Sequence, residues 1–260
     1  MLLGFLVPVS FIFIQSLLDN KIHILEDVEE AIAAPIFGDI PTSKSKDKSI
    51  SFEQNNNVTE SFRLLRTNVD YMLRNHKGGK TVFITSTIAG EGKTFVALNL
   101  AVAFSLLNKK VLLIGADIRK PKIEAYLNIK QEKGLTHFLI DRSLEFSNLI
   151  MPHEGTNLHI LGASRIPINP SELLTNGRFD EVIAYGKANY DYVIVDTAPV
   201  NLATDTLLIG HLADLFVYVV RANFLNKRML NIPRNLYENK RLPNMAILLN
   251  DTDYEKRGYD

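Results

Sequence analysis

The sequence predicts an α/β fold: a mostly parallel sheet with helices on both faces, preceded by a transmembrane helix segment. Three observations predict it. Short, near-continuous Val/Ile/Leu runs alternate with stretches of helical composition, the pattern of a parallel sheet covered on both faces. A glycine-containing loop, Thr-Ile-Ala-Gly-Glu-Gly-Lys-Thr at 87–94, joins one such run to an apolar helix. The first 18 residues are almost wholly apolar and carry no charge.

That apolar stretch, Met1 to Leu18, is broken only by Gly4, Pro8, Ser10 and Gln15. About 20 apolar residues span a bilayer, so residues 1–19 are expected to be the C-terminal part of a transmembrane helix. A secretory signal would carry a basic start and a small-residue cleavage site, and this segment has neither. A buried core helix is the alternative, but no polar face or amphipathic period supports it. The C-terminal side is expected to face the cytoplasm, with Lys21 close by and Lys44, Lys46 and Lys48 nearer the far limit of the positive-inside rule. Residues 20–57 contain Pro35, Pro41, a Ser/Lys alternation and Glu53-Gln-Asn-Asn-Asn57 without a sustained period. Such composition buries little surface, and a juxtamembrane linker is expected there.

The compact domain, 58–260, is expected to open with a helix. Thr59 is its predicted N-cap, and Phe62, Leu65, Val69 and Met72 recur at helical spacing to form a buried face. Glu60, Arg63 and Arg66 lie beside that face. Taken alone they are a solvated stripe with an i,i+3 ion pair, worth a few tenths of a kcal/mol.

Thr81–Ser86 is the strand that leads into the glycine loop, and the Pro- and Gly-free stretch 95–107 is the helix that leaves it. Strand, tight turn and helix start are the context that a phosphate-binding P-loop requires. Its glycines let backbone N–H groups crowd round a phosphate, and the helix N-terminus adds partial positive charge. Lys93 would reach the β/γ-phosphates of ATP and the Thr94 hydroxyl would bind Mg²⁺. Ala89, Gly90, Glu91, Gly92 and Phe95 complete the expected cradle. The strict pattern has Gly where this chain has Thr87.

Further strands are expected at 110–114, 191–196, 214–220 and 244–249, with another at 158–161. Asp117 lies just beyond the first and Asp196 ends the second. In open α/β sheets ligands sit outside the strand carboxyl ends, where Lys93, Thr94, Asp117 and Asp196 all fall. Helix caps or turn residues would account for each acid singly, but not for their joint placement.

Composition narrows the class further. The chain has 260 residues, 46% of them hydrophobic, enough for one large α/β domain with a sizeable core. Twenty-nine basic side chains balance 29 acidic ones, so no nucleic-acid footprint is expected. Cysteine is absent, which excludes disulfides and a thiolate nucleophile. The six histidines show no metal-ligand spacing.

Taken together these motifs resemble the cytoplasmic domain of a bacterial tyrosine autokinase, the family that works with capsular and exopolysaccharide export machinery. The resemblance is carried by Asp27-Val-Glu-Glu30, Ile36-Phe-Gly-Asp-Ile-Pro41, Glu60-Ser-Phe-Arg-Leu-Leu-Arg66, Gly90-Glu-Gly-Lys-Thr94, Asp117-Ile-Arg-Lys-Pro121, Asn169-Pro-Ser-Glu-Leu-Leu174 and Tyr192-Val-Ile-Val-Asp-Thr-Ala-Pro199. It implies that Lys93 holds the phosphates, Thr94 and Asp196 the Mg²⁺, and that Asp117 activates the tyrosine hydroxyl or shares the metal. It adds Arg119 and Asn250 to the nucleotide contacts. Glu60, Arg63 and Arg66 match the family's oligomerisation motif, which docks subunits in a ring. Tyr254 and Tyr259 stand where the family has its C-terminal tyrosine cluster of phospho-acceptors. Gly115 stands where the family has a second acid, which leaves the general base open. The implied partners are a homo-oligomeric ring, the polysaccharide polymerisation and export machinery, a cognate tyrosine phosphatase and the bacterial inner membrane, with the kinase domain on its cytoplasmic face.

Two other functions fit the same motifs. One is a non-kinase switch of the partitioning or cell-division ATPase type, which dimerises on ATP. Those proteins have a lysine in the loop where this chain has Ile88, which counts against that reading. The other is a pseudo-kinase that gates polymer export, a reading that Gly115 keeps open.

Overall fold

The computed structural model describes residues 19–43 and 56–253. Eight strands form one sheet in the order β1-β8-β7-β2-β6-β3-β5-β4. They are β1 (Ile36–Pro41), β2 (Lys80–Ser86), β3 (Val111–Gly115), β4 (Met151–Pro152), β5 (Leu158–Leu161), β6 (Tyr192–Asp196), β7 (Leu215–Arg221) and β8 (Met245–Thr252). Every pairing is parallel except β4 with β5. All residues of β3 and β6 are buried, as continuous Val/Ile/Leu strands with covered faces must be.

The helices are α1 (Leu25–Glu29), α2 (Asn57–Met72), α3 (Lys93–Ser105), α4 (Ile123–Leu127), α5 (Leu135–Ile140), α6 (Pro170–Leu174), α7 (Arg178–Asn189), α8 (Asp205–Leu208) and α9 (Asn231–Glu238). Helix α3 is apolar on every side, and all its residues except Phe95 are buried; such a helix belongs inside. It packs on β2, β3 and β6 and is covered in turn by α2. Two hydrophobic clusters result, one on each face of the sheet.

Two expectations are corrected. Residues 20–42 are not a linker, because Ile36–Pro41 is the edge strand β1, parallel to β8, and Thr42 N–H donates to the Thr252 carbonyl at 2.9 Å. Ahead of it, Ile22, Val28 and Ile32 are buried, and Ile22 exchanges backbone hydrogen bonds with Asn223 and Leu225 at 2.7 and 3.1 Å. Composition misleads here since one edge strand needs only a few apolar residues, spaced over a polar stretch, and a partner strand that lies 200 residues away. The N-cap of α2 is Asn56, whose Oδ1 accepts from Thr59 N–H at 2.9 Å and from the Thr59 hydroxyl at 3.0 Å. Thr59 is instead buried in the first turn.

The membrane segment expected over 1–19 lies outside the described residues except for Asp19. Among the described residues no helix is long and apolar enough to cross a membrane. Tyr254 and Tyr259 also lie outside them.

Candidate nucleotide and phosphoryl-transfer site

Strand β2 is central, with β6 on one side and β7 on the other. The loop that follows it therefore emerges at a point where the chain winds outward in both directions, the usual ligand position in such sheets. Two glycines shape the turn. Gly90 and Gly92 have φ of +99° and +93°, which L side chains rarely adopt. A Cβ at Gly92 would also come within 2.1 Å of Asn250 Nδ2, and so would displace the amide that bonds the Glu91 carbonyl.

Around the loop the polar groups converge. Lys93, at the first turn of α3, is buried, and its Nζ lies 3.5 Å from Asp117 Oδ2. The Thr94 hydroxyl donates to Asp196 Oδ2 at 2.6 Å. Asp117 and Asp196 are held together by the sheet, since Gly115 pairs with Asp196 and Asp117 N–H donates to the Asp196 carbonyl at 2.9 Å. Asp196 Oδ1 is buried with no hydrogen-bond partner among the described residues. Burial raises the Asp196 pKa to about 6, against the opposing pull of Lys93 and the Thr94 hydroxyl. A buried carboxylate with one unsatisfied oxygen, beside a backbone nest and a helix N-terminus, suits a divalent cation bound with phosphates. The residues present therefore fit both groups.

A cleft of about 380 Å³ opens over the loop, lined by Gly90, Gly92, Lys93, Thr94, Phe95, Lys122, Tyr126, Arg221 and Asn250 among others. Lys93, Ala89 and Gly90 also face a smaller cavity, about 70 Å³, closed by Asp117, Lys120, Pro199 and Leu202. Ala89, Gly90, Gly92 and Phe95 of the expected cradle thus face these two spaces, whereas the Glu91 side chain is buried and lines neither. Asn250 lines the large cleft, and its Nδ2 donates to the Glu91 carbonyl at 2.9 Å.

Some expected residues are differently placed. Arg119 borders the smaller cavity, but its guanidinium forms a two-point pair with buried Asp205 at 2.6 and 3.1 Å and reaches Ser171 Oγ at 3.0 Å. Burial pushes the Asp205 carboxyl up, but its bonds to Arg119 and Ser171 outweigh that and hold it below the usual range. Arg119 is therefore a clamp between the Asp117 loop, α6 and α8. A Cβ at Gly115 would meet Ile123 Cδ1 at 3.3 Å, so a second acid there would need the tip of the Ile123 side chain to shift slightly. Glu60 and Arg63 pair with each other on the exposed side of α2. Arg66 does not share that stripe fully: it is partly buried, and its Nη1 donates to the Ala103 carbonyl of α3 at 3.0 Å.

The sequence reading missed three features of the site. Arg221 Nη1 donates to the Gly90 carbonyl at 2.8 Å and pairs with Asp251 at 2.8 Å. Its signal was a basic residue closing an apolar strand. Tyr126 faces the large cleft with no sequence signal beyond its type. The Asp205–Ser171 clamp joins residues 34 positions apart, and spacing alone does not show that.

Residues 79–227 match the AAA domain family. The chain is 36% identical over 169 residues to the tyrosine-protein kinase YwqD of Bacillus subtilis, covering 65% of this chain and 70% of that protein. It is 24% identical over 270 residues to the tyrosine-protein kinase ptk of Acinetobacter johnsonii, but spans only 37% of that longer protein. The kinase domain of Escherichia coli tyrosine kinase ETK superimposes with a TM-score of 0.79 at 25% identity, covering 92% of this chain and 98% of that domain. A likeness that spans most of one tyrosine kinase and nearly the whole kinase domain of another shows that the chain belongs to the bacterial tyrosine-protein kinases.

Proposed function

We propose that this chain transfers the γ-phosphoryl group of ATP to tyrosine hydroxyls in the C-terminal tail of a neighbouring subunit within a ring, and so regulates capsular or exopolysaccharide polymerisation and export at the bacterial inner membrane. One observation carries the reading: Lys93, Thr94, Asp117 and Asp196 converge on the P-loop, with an unsatisfied carboxylate oxygen buried among them.

The chemistry asked of the protein is mainly positioning and charge neutralisation. The loop's backbone N–H groups and Lys93 hold the β- and γ-phosphates. Thr94, Asp196 and Asp117 would hold Mg²⁺, which would supply positive charge to the phosphates. The acceptor oxygen forms its bond to Pγ as the bond from Pγ to the β-phosphate oxygen breaks, and the phenolic proton passes to a carboxylate. Asp117 is the carboxylate that faces both the loop lysine and the smaller cavity, and it takes the acceptor's proton on this reading.

Arg119 and Asn250 then act differently from each other. Asn250 fixes the loop from β8, and Arg119 fixes the strand-end loop that carries Asp117. Glu60 and Arg63 supply the exposed charged stripe for a neighbouring subunit. The switch reading gains no support from Ile88, whose N–H is taken by Glu91 at 2.7 Å and whose side chain packs on the core. Incubation with labelled ATP and Mg²⁺ tests the proposal: phosphate appears on tyrosine in the wild type and not in Lys93→Met. Equal labelling of both proteins would refute it.

A further inference from the structure

Glu91 stands in the middle of the phosphate loop, yet the transfer chemistry has no use for it. Its side chain turns inward and is fully buried. Oε2 accepts from the Ile88 N–H at 2.7 Å, and Oε1 has no hydrogen-bond partner among the described residues. Backbone N–H groups of Thr87 and Arg221 and the Ser86 hydroxyl also face the carboxyl. The carboxyl thus ties the first half of the loop to the second and to the end of β7.

The charged groups on every element around it are otherwise engaged. From β7, the Tyr218 hydroxyl bonds Thr87 Oγ1 at 3.0 Å, and the Arg221 guanidinium is turned to Gly90 and Asp251. From α3, the Lys93 ammonium lies beside Asp117, and from β6 Asp196 is taken by Thr94. From β8 the nearest side chain is the neutral Asn250, on the Glu91 carbonyl. Among the described residues, the nearby Lys93 and Arg221 are both engaged elsewhere and do not neutralise Glu91. A negative charge would sit unpaired inside a loop whose outer side is built to receive more negative charge.

We propose that Glu91 is a positioning residue that holds the loop open to phosphates, and that nucleotide binding is coupled to uptake of one proton by its carboxyl. This rests on the nucleotide-binding reading given above. The proton comes from solvent and adds to Oε1, giving a neutral acid that keeps Oε2 as acceptor for Ile88. Burial already raises the Glu91 pKa to about 7. Phosphates in the cradle add like charge, which favours the neutral form further. Reciprocity then requires protonation to favour nucleotide to the same degree. Nucleotide affinity should increase as pH falls from the bound pKa to about 7 and level off below it, up to about tenfold for each unit by which the bound pKa exceeds the free one.

The test uses the full chain with ADP and a chelator, so that no divalent cation competes for Asp196. Calorimetry at neutral pH, in buffers of different ionisation enthalpy, should show net proton uptake that is absent in Glu91→Gln. That variant keeps the acceptor oxygen and should bind ADP within about threefold of wild type at low pH, where both side chains are neutral. Glu91→Ala loses the Ile88 tie and should bind more weakly at every pH. Carbon-13 NMR of carboxyl-labelled glutamate decides independently of folding in the variants: one glutamate should titrate near neutrality and shift upward on adding ADP. Equal proton exchange in wild type and Glu91→Gln, or no glutamate titrating above the ordinary range, overturns the proposal. A flat titration with ADP overturns the nucleotide reading itself, and the NMR signal of the free protein still reports on Glu91.

Discussion

The Thr94 hydroxyl donates to Asp196 Oδ2 at 2.6 Å, while the other oxygen of the same carboxylate is buried without a hydrogen-bond partner among the described residues. The first turn of α3 and the end of β6 are thereby joined around an incomplete charge site. Burial lifts the Asp196 pKa to about 6 from an ordinary value of 3.8. A carboxyl whose folded pKa is raised gives its full stability below the unfolded value and loses it as pH rises through the folded one. The protein without metal should therefore lose stability between about pH 4 and pH 6 on this account.

Asp196→Asn follows from that. The neutral amide removes the cost of burying charge, so the variant without metal should melt higher than wild type at pH 7.5, by about 2–4 °C for each kcal/mol recovered. It should also lose Mg²⁺-dependent transfer, as a neutral amide binds a dication poorly. Thermal melts and rate against Mg²⁺ concentration check the two halves. A variant that melts lower at pH 7.5 would contradict the burial argument.

Asp117→Asn should reduce transfer more severely than Asp196→Asn, because position 115 is Gly and Asp117 is the acid that lines the smaller cavity beside Lys93. Its Oδ1 accepts from Lys120 N–H at 3.1 Å, a bond an amide oxygen can keep, so folding should be little affected. Rates at saturating Mg²⁺ separate the two variants. Unchanged rate curves for both would remove the metal and base assignments together.

Arg119→Ala tests whether the clamp or a nucleotide contact is its task. Asp205 would keep only Ser171, and losing a partner of a buried carboxylate costs about 1–3 kcal/mol. The Asp117 loop should loosen, lowering kcat, while ADP affinity stays within about twofold of wild type. A loss of ADP affinity beyond tenfold would restore Arg119 to the nucleotide contacts.

On α2, Arg63→Ala should leave the fold intact and abolish assembly, since its ion pair with Glu60 is on the helix surface and such a pair contributes little stability. Arg66→Ala should lower stability as well, by about 0.5–1.5 kcal/mol, through loss of the Ala103 carbonyl bond. Light scattering and melting of the single variants separate the two roles. An oligomer of unaltered mass in both would make the stripe a solvated face.

Most of the sheet was legible because β2, β3, β6, β7 and β8 are continuous apolar runs whose ends carry the loop lysine and the acids. The P-loop was legible because its glycines, lysine and threonine are contiguous. Strand β1 was not, for its stability comes from β8 and from Phe37 and Ile40 meeting a core built elsewhere in the chain. Asn56 as cap was missed beside Thr59, two plausible cap residues three positions apart. The inward turn of Glu91 and the grip of Asp205 on Arg119 depend on which side of a loop a side chain takes. Tertiary packing decides that, and no local pattern records it.

The central claim is tested most directly by mapping phosphate on the purified full chain after incubation with ATP and Mg²⁺, using mass spectrometry of the C-terminal peptides. The account predicts phosphotyrosine at Tyr254 or Tyr259 in the wild type, and none in Lys93→Met. It also predicts that catalytically intact Tyr254→Phe/Tyr259→Phe protein restores the mark on the tail of Lys93→Met protein when the two are mixed. ATP turnover or ATP-dependent dimerisation without any phosphotyrosine would contradict it and leave a nucleotide switch in its place.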